Sequence, residues 1–346
     1  MCQQQVQQQQ QCVQGQLEQG IFHGFSYRKV ITLNRSASPE VAILLCTYNG
    51  QQYLNTQMDS IAAQKFPHWR VWASDDGSQD DTLTILAEYR AKWPEKRLSI
   101  VHGPQKGFVA NFLSLACNVN IQASYYAFCD QDDIWDADKL ARALAWLQTV
   151  PDNTPALYCA RTRLVDAQNR ETGLSPLNTR QPCFANALTQ NPASGNTMVF
   201  NHAACALLRD AGQGVAVVAH DWWLYLLVAG AGGKVFYDPM PCLRYRQHGG
   251  NLVGMKAYWL ARLLRSRTVR EVWRGDFRRG NDGHVRALQQ RRATLTPQNR
   301  LILDRFVHAR NRWLLPRLWG LWRAGIYREP LWSHLGLVAA AIFKKI

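Results

Sequence analysis

Between residues 41 and 147, short apolar runs alternate with stretches of helical period. Residues 41–46, VAILLC, are apolar throughout and end at Thr47-Tyr48-Asn49-Gly50, after which a helical pattern runs from Gln52 to Gln64. A second run, WRVWAS at 69–74, ends at Asp75-Asp76-Gly77-Ser78. Ser78 with Asp81 resembles a capping box and predicts a helix through about Arg90. RLSIVHG at 97–103 predicts a third strand, and Phe108 to Asn118 a third helix. YYAFCD at 125–130 predicts a fourth strand, and from Asp138 onward Leu140, Leu144 and Leu147 fall at helical spacing. This alternation predicts an α/β fold, a mostly parallel sheet flanked by helices. In such sheets ligands sit outside the carboxyl ends of the strands, so the loops at Tyr48-Asn49, Asp75-Asp76 and Asp130-Asp132 are expected to converge on one edge.

Beyond Pro151 the pattern loosens. ALYCARTRLVD at 156–166 predicts one or two strands, 167–193 is polar and turn-rich, and SGNTMVFN at 194–201 predicts a strand entry. An apolar stretch, GVAVVAHDWWLYLLVAGAGGKVFY, carries His220-Asp221 in its middle, and LRYRQHGGN follows. A carboxylate there is costly to bury without a task. It either serves chemistry, pairs within a core or marks a membrane helix, and the last is disfavoured because Gly and His break a segment already short for a span.

Charge divides the chain. The net charge is +15, yet Lys+Arg and Asp+Glu balance at 20 each over residues 1–255, whereas residues 256–346 hold 20 basic and 5 acidic residues with six of the 13 Trp. Nine Cys form no Cys-x-x-Cys pair and no zinc spacing, which favours a reducing, cytoplasmic setting. The Gln-rich start has neither a basic opening nor an apolar core, so it is not a signal peptide, and residues 1–38 are expected to be disordered. No stretch qualifies cleanly as a membrane span.

Seven fragments occur in order: LLCTYNGQQYL, ASDDGSQDDT, GPQKGFVANF, FCDQDDIWDADKL, SGNTMVF, HDWW and YRQHGGN. Together they resemble the family 2 glycosyltransferases, closest to the rhamnosyltransferase-like branch that builds bacterial surface polysaccharides. The resemblance implies a GT-A, Rossmann-like domain over residues 39–255, followed by a basic helical extension over 256–346. It implies an inverting transferase that takes a sugar, such as L-rhamnose from dTDP-rhamnose, from a nucleotide donor. The acceptor would be a polysaccharide or lipid-linked oligosaccharide, and the cofactor Mg²⁺ or Mn²⁺.

Carried over residue by residue, the resemblance makes Asp132 the metal ligand, with Asp130 holding the ribose or the metal's water shell. One of Asp75 and Asp76 accepts from the N3–H of a pyrimidine and its neighbour supports the site. Thr47, Tyr48 and Asn49 line base and ribose, and Gln131 joins the donor site. Lys106 either meets donor phosphate or base or is a solvated side chain. His248 completes the metal's coordination or contacts the diphosphate, and Arg246 helps to neutralise phosphate. Asp221 is the catalytic base that deprotonates the acceptor hydroxyl; the family's usual Glu-Asp pair is here His220-Asp221. Asp133 supports the sugar or the loop, while Trp135 and Trp222 stack on sugar or pack in the core. Asp136 and Asp138 are expected only to open a helix.

The tail interleaves Arg with Trp and Leu, as suits helices lying in the interface of the inner face of the cytoplasmic membrane. Nucleic acid is the rival partner, but no recognised nucleic-acid module accompanies the tail, and a basic oligomerisation arm is a third reading. Two other function classes remain: a sugar-phosphate nucleotidyltransferase, whose Gly-rich phosphate loop is missing from CTYNGQQYL, and a non-catalytic membrane- or nucleic-acid-binding protein.

Overall fold

The structure is a computed structural model that describes residues 40–248 and 276–346, with side chains in the second stretch described from Asn281 on. The expected disordered segment 1–38, the boundary at 255 and the opening of the basic tail at 256–275 lie outside the described residues.

Strands β1 (Val41–Thr47), β2 (Trp69–Asp75), β3 (Leu98–His102) and β4 (Tyr125–Cys129) pair in parallel in the order β4-β1-β2-β3. β1 is buried along its whole length. Val41, Ile43 and Leu45 face one core, and Ala42, Leu44 and Cys46 face the other. A strand covered on both faces needs such a continuous apolar run. Helices α1 (Leu54–Ala62), α2 (Thr82–Lys92) and α4 (Lys139–Leu147) cover the first core; α3 (Phe108–Ala116), α6 (His202–Ala211) and α7 (His220–Gly230) cover the second. The sheet continues through β9 (Val199–Asn201), β6 (Ala156–Ala160) and β10 (Lys234–Asp238) to seven strands, of which only β9 runs antiparallel to its neighbours. A smaller sheet joins β5 (Ile134–Trp135), β11 (Leu243–Arg246), β7 (Arg163–Val165) and β8 (Glu171–Leu174).

Several local expectations change. The ALYCARTRLVD segment resolves into two strands in different sheets, and the turn-rich 167–193 region contains β8 and a short helix, α5 (Phe184–Ala187). α2 opens at Thr82, not at a Ser78 cap, because the Ser78 hydroxyl turns to Asp75 while Asp80 accepts from the Thr82 amide. Asp138 precedes α4 without capping it, and Asp136 pairs instead with Arg163.

The C-terminal helices are α8 (Asp276–Gln290), α9 (Pro297–Asn311), α10 (Leu314–Arg323) and α11 (Leu331–Ile342). They are integral to the core. Leu288, Leu303, Phe306 and Leu337 belong to the same buried cluster as Trp223 and Leu224 of α7.

Candidate active site

Because β1, β2 and β4 are parallel, Thr47, Asp75 and Cys129 end at one edge, and the loops that follow them gather there as the sequence predicts. β9 is antiparallel, so its beginning reaches that edge: Ala127 pairs with Val199, and the 3₁₀ turn Gly195–Thr197 lies beside the end of β4. Sequence order alone gives no sign of this reversal.

The loops after β1 and β2 are bound tightly to each other. Asp75 Oδ1 accepts from the Gly77 and Ser78 amides at 3.1 and 2.8 Å, and Oδ2 accepts from Thr47 Oγ1 at 2.8 Å and Ser78 Oγ at 2.6 Å. A carboxylate with four acceptor positions is then full. Asp75 therefore braces the site and has no capacity left for a pyrimidine N3–H. Asp76 accepts from the Gln105 and Gly107 amides at 2.6 and 2.8 Å, which holds the loop carrying the exposed Lys106 and leaves one acceptor position on each oxygen. Asn49, at φ 47°, donates its amide N–H to Ser78 Oγ, and its Oδ1 accepts from the Gln79 amide.

Gln131 is a clamp. Its carboxamide accepts from the Tyr48 amide at 2.8 Å and donates to the Tyr48 carbonyl at 2.9 Å, joining the β4 loop to the β1 loop. One bond at each end of the carboxamide fixes Gln131 between the two loops. Gly50 is needed beside it, since a Cβ there would lie 2.3 Å from Gln131 Oε1. The Tyr48 ring itself is 57% exposed.

Past Cys129 the chemistry changes. Burial, then the neighbouring charges of Asp132 and Asp221, push the Asp130 carboxyl up to about 7, with Lys139 pulling the other way. The Asp132 carboxylate meets His248 Nε2 at 2.8 Å, so two residues far apart in sequence share one position. Arg246 Nε donates to the Asp132 carbonyl and Nη1 to the Ala167 carbonyl, and its guanidinium lies over the Tyr53 ring at 4.6 Å. Arg246 thus shapes the loop backbone, a different task from the expected neutralisation of phosphate. Asp133 is fully buried; Oδ2 accepts from Asn196 Nδ2 at 2.6 Å, and burial pushes its carboxyl well above the usual range. Of its two expected roles, Asp133 takes the loop-supporting one.

Asp221 lies in the first turn of α7, where a helix favours negative charge. Its Oδ2 accepts from the Gly195 amide at 3.0 Å and its Oδ1 from the Trp222 amide at 2.6 Å, and Asn191 adds a side-chain hydrogen bond. Burial nonetheless raises its pKa. Asn196 connects the two acidic segments, because the turn that grips Asp133 also presents the Gly195 amide to Asp221.

His220, Trp135 and Trp222 all make their contacts within the protein. His220 stacks on Phe112 at 3.9 Å with Phe128 edge-on at 4.6 Å; neither ring nitrogen has a partner, and burial lowers its pKa to about 3, keeping it neutral. Trp135 is 3% exposed, its ring covered by Lys139 Nζ at 3.4 Å, so it cannot stack on a sugar. Trp222 donates Nε1–H to the Ala187 carbonyl at 2.7 Å and meets His284.

Sequence reasoning overlooked Lys139, a fully buried amine near Asp133 that donates to the Asn196 carbonyl at 2.5 Å. A signal existed, since Lys139 shares the buried i, i+4, i+8 stripe with Ala143 and Leu147.

A family model described as Glycosyl transferase family 2 matches residues 42–211, which span the donor loops and the acidic segment and end before Asp221. The dTDP-rhamnosyl transferase RfbG of Shigella flexneri is 29% identical over 240 residues, covering 66% of this chain and 80% of that protein. An uncharacterised glycosyltransferase of Haemophilus influenzae is 26% identical over 61% of this chain and 66% of its own length. Among solved structures, the mannosyltransferase PcManGT from Pyrobaculum calidifontis, in complex with GDP-Man and Mn²⁺, aligns at a TM-score of 0.48 with 16% identity, covering 90% of this chain and 88% of that one. With its mainly parallel α/β sheet, its acidic loop at the end of β4, the family 2 match over residues 42–211 and its rhamnosyltransferase-named relative, the chain is a glycosyltransferase.

Proposed function

We propose that the protein is an inverting, divalent-metal-dependent transferase that moves L-rhamnose from dTDP-rhamnose to a polysaccharide or lipid-linked oligosaccharide at the inner face of the cytoplasmic membrane. One observation carries the mechanistic part. Asp221, its basicity raised by burial, is fixed by the Gly195 amide on the turn that also grips the acidic loop. That supplies a base beside a site for a charged leaving group. The similarity to a dTDP-rhamnosyl transferase supports the donor.

In this reading Asp221 takes the proton from the acceptor hydroxyl as its oxygen bonds to the anomeric carbon. The bond from that carbon to the diphosphate oxygen breaks on the opposite side, and the nucleoside diphosphate departs with the electron pair. Asp76 accepts the pyrimidine N3–H, and Tyr48 and Lys106 face the donor.

Asp132 and His248 offer an oxygen and a nitrogen donor side by side, with Asp130 close enough to feel the charge of Asp132. No group of three metal-binding side chains stands together among the described residues. That pattern fits Mg²⁺ or Mn²⁺ held by one or two protein groups, with the remaining positions filled by substrate phosphate and water. Bound there, the cation would neutralise charge on the diphosphate.

A thermal-shift panel of nucleotide sugars with and without Mg²⁺ or Mn²⁺ tests the reading. The expected result is a Tm rise with dTDP-rhamnose or dTDP only when the cation is present. Absence of any response to any nucleotide, with or without metal, overturns it.

A further inference from the structure

The C-terminal helices turn apolar stripes to solvent. On α10, Leu315, Trp319 and Trp322 fall at i, i+4 and i+7 and are 64%, 59% and 70% exposed, while Arg317 and Leu321 of the same helix are buried. On α11, Leu331, Leu335 and Ile342 repeat at helical spacing and are exposed with Trp332 beside them, while Leu337, Ala340 and Ala341 are buried. The two helices are joined by Arg317 Nη1, which donates to the Ala341 carbonyl at 2.6 Å. Exposed leucines scattered singly need no explanation, but Trp and Leu concentrated on two joined helices do.

We propose that this face of α10 and α11 is the surface that seats the enzyme on an anionic bilayer, with the apolar stripes at the boundary between headgroups and acyl chains. The charge favours lipid over a second copy. Residues 256–346 carry 20 basic and 5 acidic residues, which attract phospholipid phosphates and repel another such tail. Arg312 and Arg323 are exposed at the two ends of α10, beside its apolar stripe. Indole rings, apolar with one N–H donor, suit the water–lipid interface. The helices lie on the membrane and do not cross it: the 12 residues of α11 span about 18 Å against a hydrocarbon core of about 30 Å. Among the described residues no helix is long and apolar enough to cross.

The connector between α10 and α11 ties this face to the catalytic wall. The Gln190 carboxamide donates to the Glu329 carbonyl at 2.6 Å and accepts from the Glu329 amide at 2.7 Å, and Thr189 Oγ1 donates to the Tyr327 carbonyl at 3.1 Å. The next residue, Asn191, hydrogen-bonds Asp221. The docking face is thereby linked to the segment that holds the base, which would keep an acceptor anchored in the same bilayer close to it. That use of the surface rests on the proposed transfer reaction, whereas the docking itself does not.

Flotation of the full chain with phosphatidylcholine vesicles, with and without phosphatidylglycerol, tests the surface. The parent should float with the anionic vesicles, less so at high salt, with blue-shifted Trp emission. A Trp319→Ser/Trp322→Ser/Trp332→Ser variant should lose at least about tenfold in vesicle affinity because its indole area is gone, with unchanged Tm and unchanged elution as a monomer. Arg312→Glu/Arg323→Glu, which leaves the stripes intact, should weaken binding to anionic vesicles alone. The proposal fails if the parent does not float, if the Trp variant floats as well as the parent, or if the Trp residues instead hold together a dimer that ignores lipid. Asp221→Asn should float like the parent even if the transfer reading is wrong, so the two failures are distinguishable.

Discussion

The loops after β1 and β2 and the acidic segment after β4 present similar residues at the same sheet edge, yet they are built for opposite purposes. In the first pair the polar groups are consumed locally: Asp75 is filled by four donors, and Asn49 donates its amide to Ser78 Oγ while its Oδ1 accepts from the Gln79 amide. In the second, carboxylates crowd one another, Asp133 Oδ1 has no hydrogen-bond partner, and Asp130, Asp133 and Asp221 are all pushed upward by burial. A satisfied carboxylate makes a rigid wall, and an under-satisfied one retains the capacity to bind a cation or take a proton. Residue type alone does not separate the two.

The largest effect that would sharpen this contrast belongs to Asp221→Asn. Transfer should fall by about 10²–10⁴-fold, as expected for loss of a general base, while the nucleotide-induced Tm shift persists. Normal turnover by this variant would remove Asp221 from the chemistry.

Next is the paired position. Asp132→Ala should abolish the metal-dependent part of the nucleotide Tm shift, and His248→Ala should weaken cation affinity by about 10–100-fold, measured by Mn²⁺ titration. Unchanged metal dependence in both variants would mean that their contact is only a surface ion pair.

A third effect is in pH. Folded Asp130 keeps its proton to about 7, whereas the unfolded chain releases it near 3.8, so between those values the native state binds more protons. Stability of the ligand-free protein should therefore fall as pH rises through that window. Asp133 and Asp221 shift in the same direction and add to the slope. Asp130→Asn, which mimics the protonated form, should flatten the Tm–pH curve; an identical slope would show that Asp130 ionises freely in the fold.

The smallest effect tests the link between the two regions. Gln131→Ala should cost about 1–2 kcal/mol in a urea melt through its two lost hydrogen bonds, with only a modest loss of nucleotide affinity. Abolished nucleotide binding with unchanged stability would show that Gln131 touches the donor directly and would erase the distinction between the two regions.

Much of this architecture was legible in the sequence. Periodicity marked β1 to β4 and their helices because a parallel sheet buried on both faces requires apolar runs, and right-handed crossovers then bring the loop ends together. Asp132 and His248, far apart along the chain, meet at 2.8 Å. What failed was the sorting of polar side chains into binders and braces. Ser78 looked like a helix cap and serves Asp75; Trp135, open to sugar stacking or core packing, lies under Lys139, and His220, at the position of the family's usual Glu, is enclosed by phenylalanines.

The sequence by itself determined the layered fold, the edge at which the acidic loops gather and the basic, Trp-rich character of the C-terminal region. Each follows from local period or composition, which a linear chain displays openly. Only the tertiary structure decided which carboxylates are saturated, that antiparallel β9 brings Gly195 and Asn196 between Asp133 and Asp221, and that the C-terminal helices share the main core while exposing one face. These depend on which donors meet which acceptors across tens of residues, and a hydrogen bond's partner is set by position in space, not by distance along the chain.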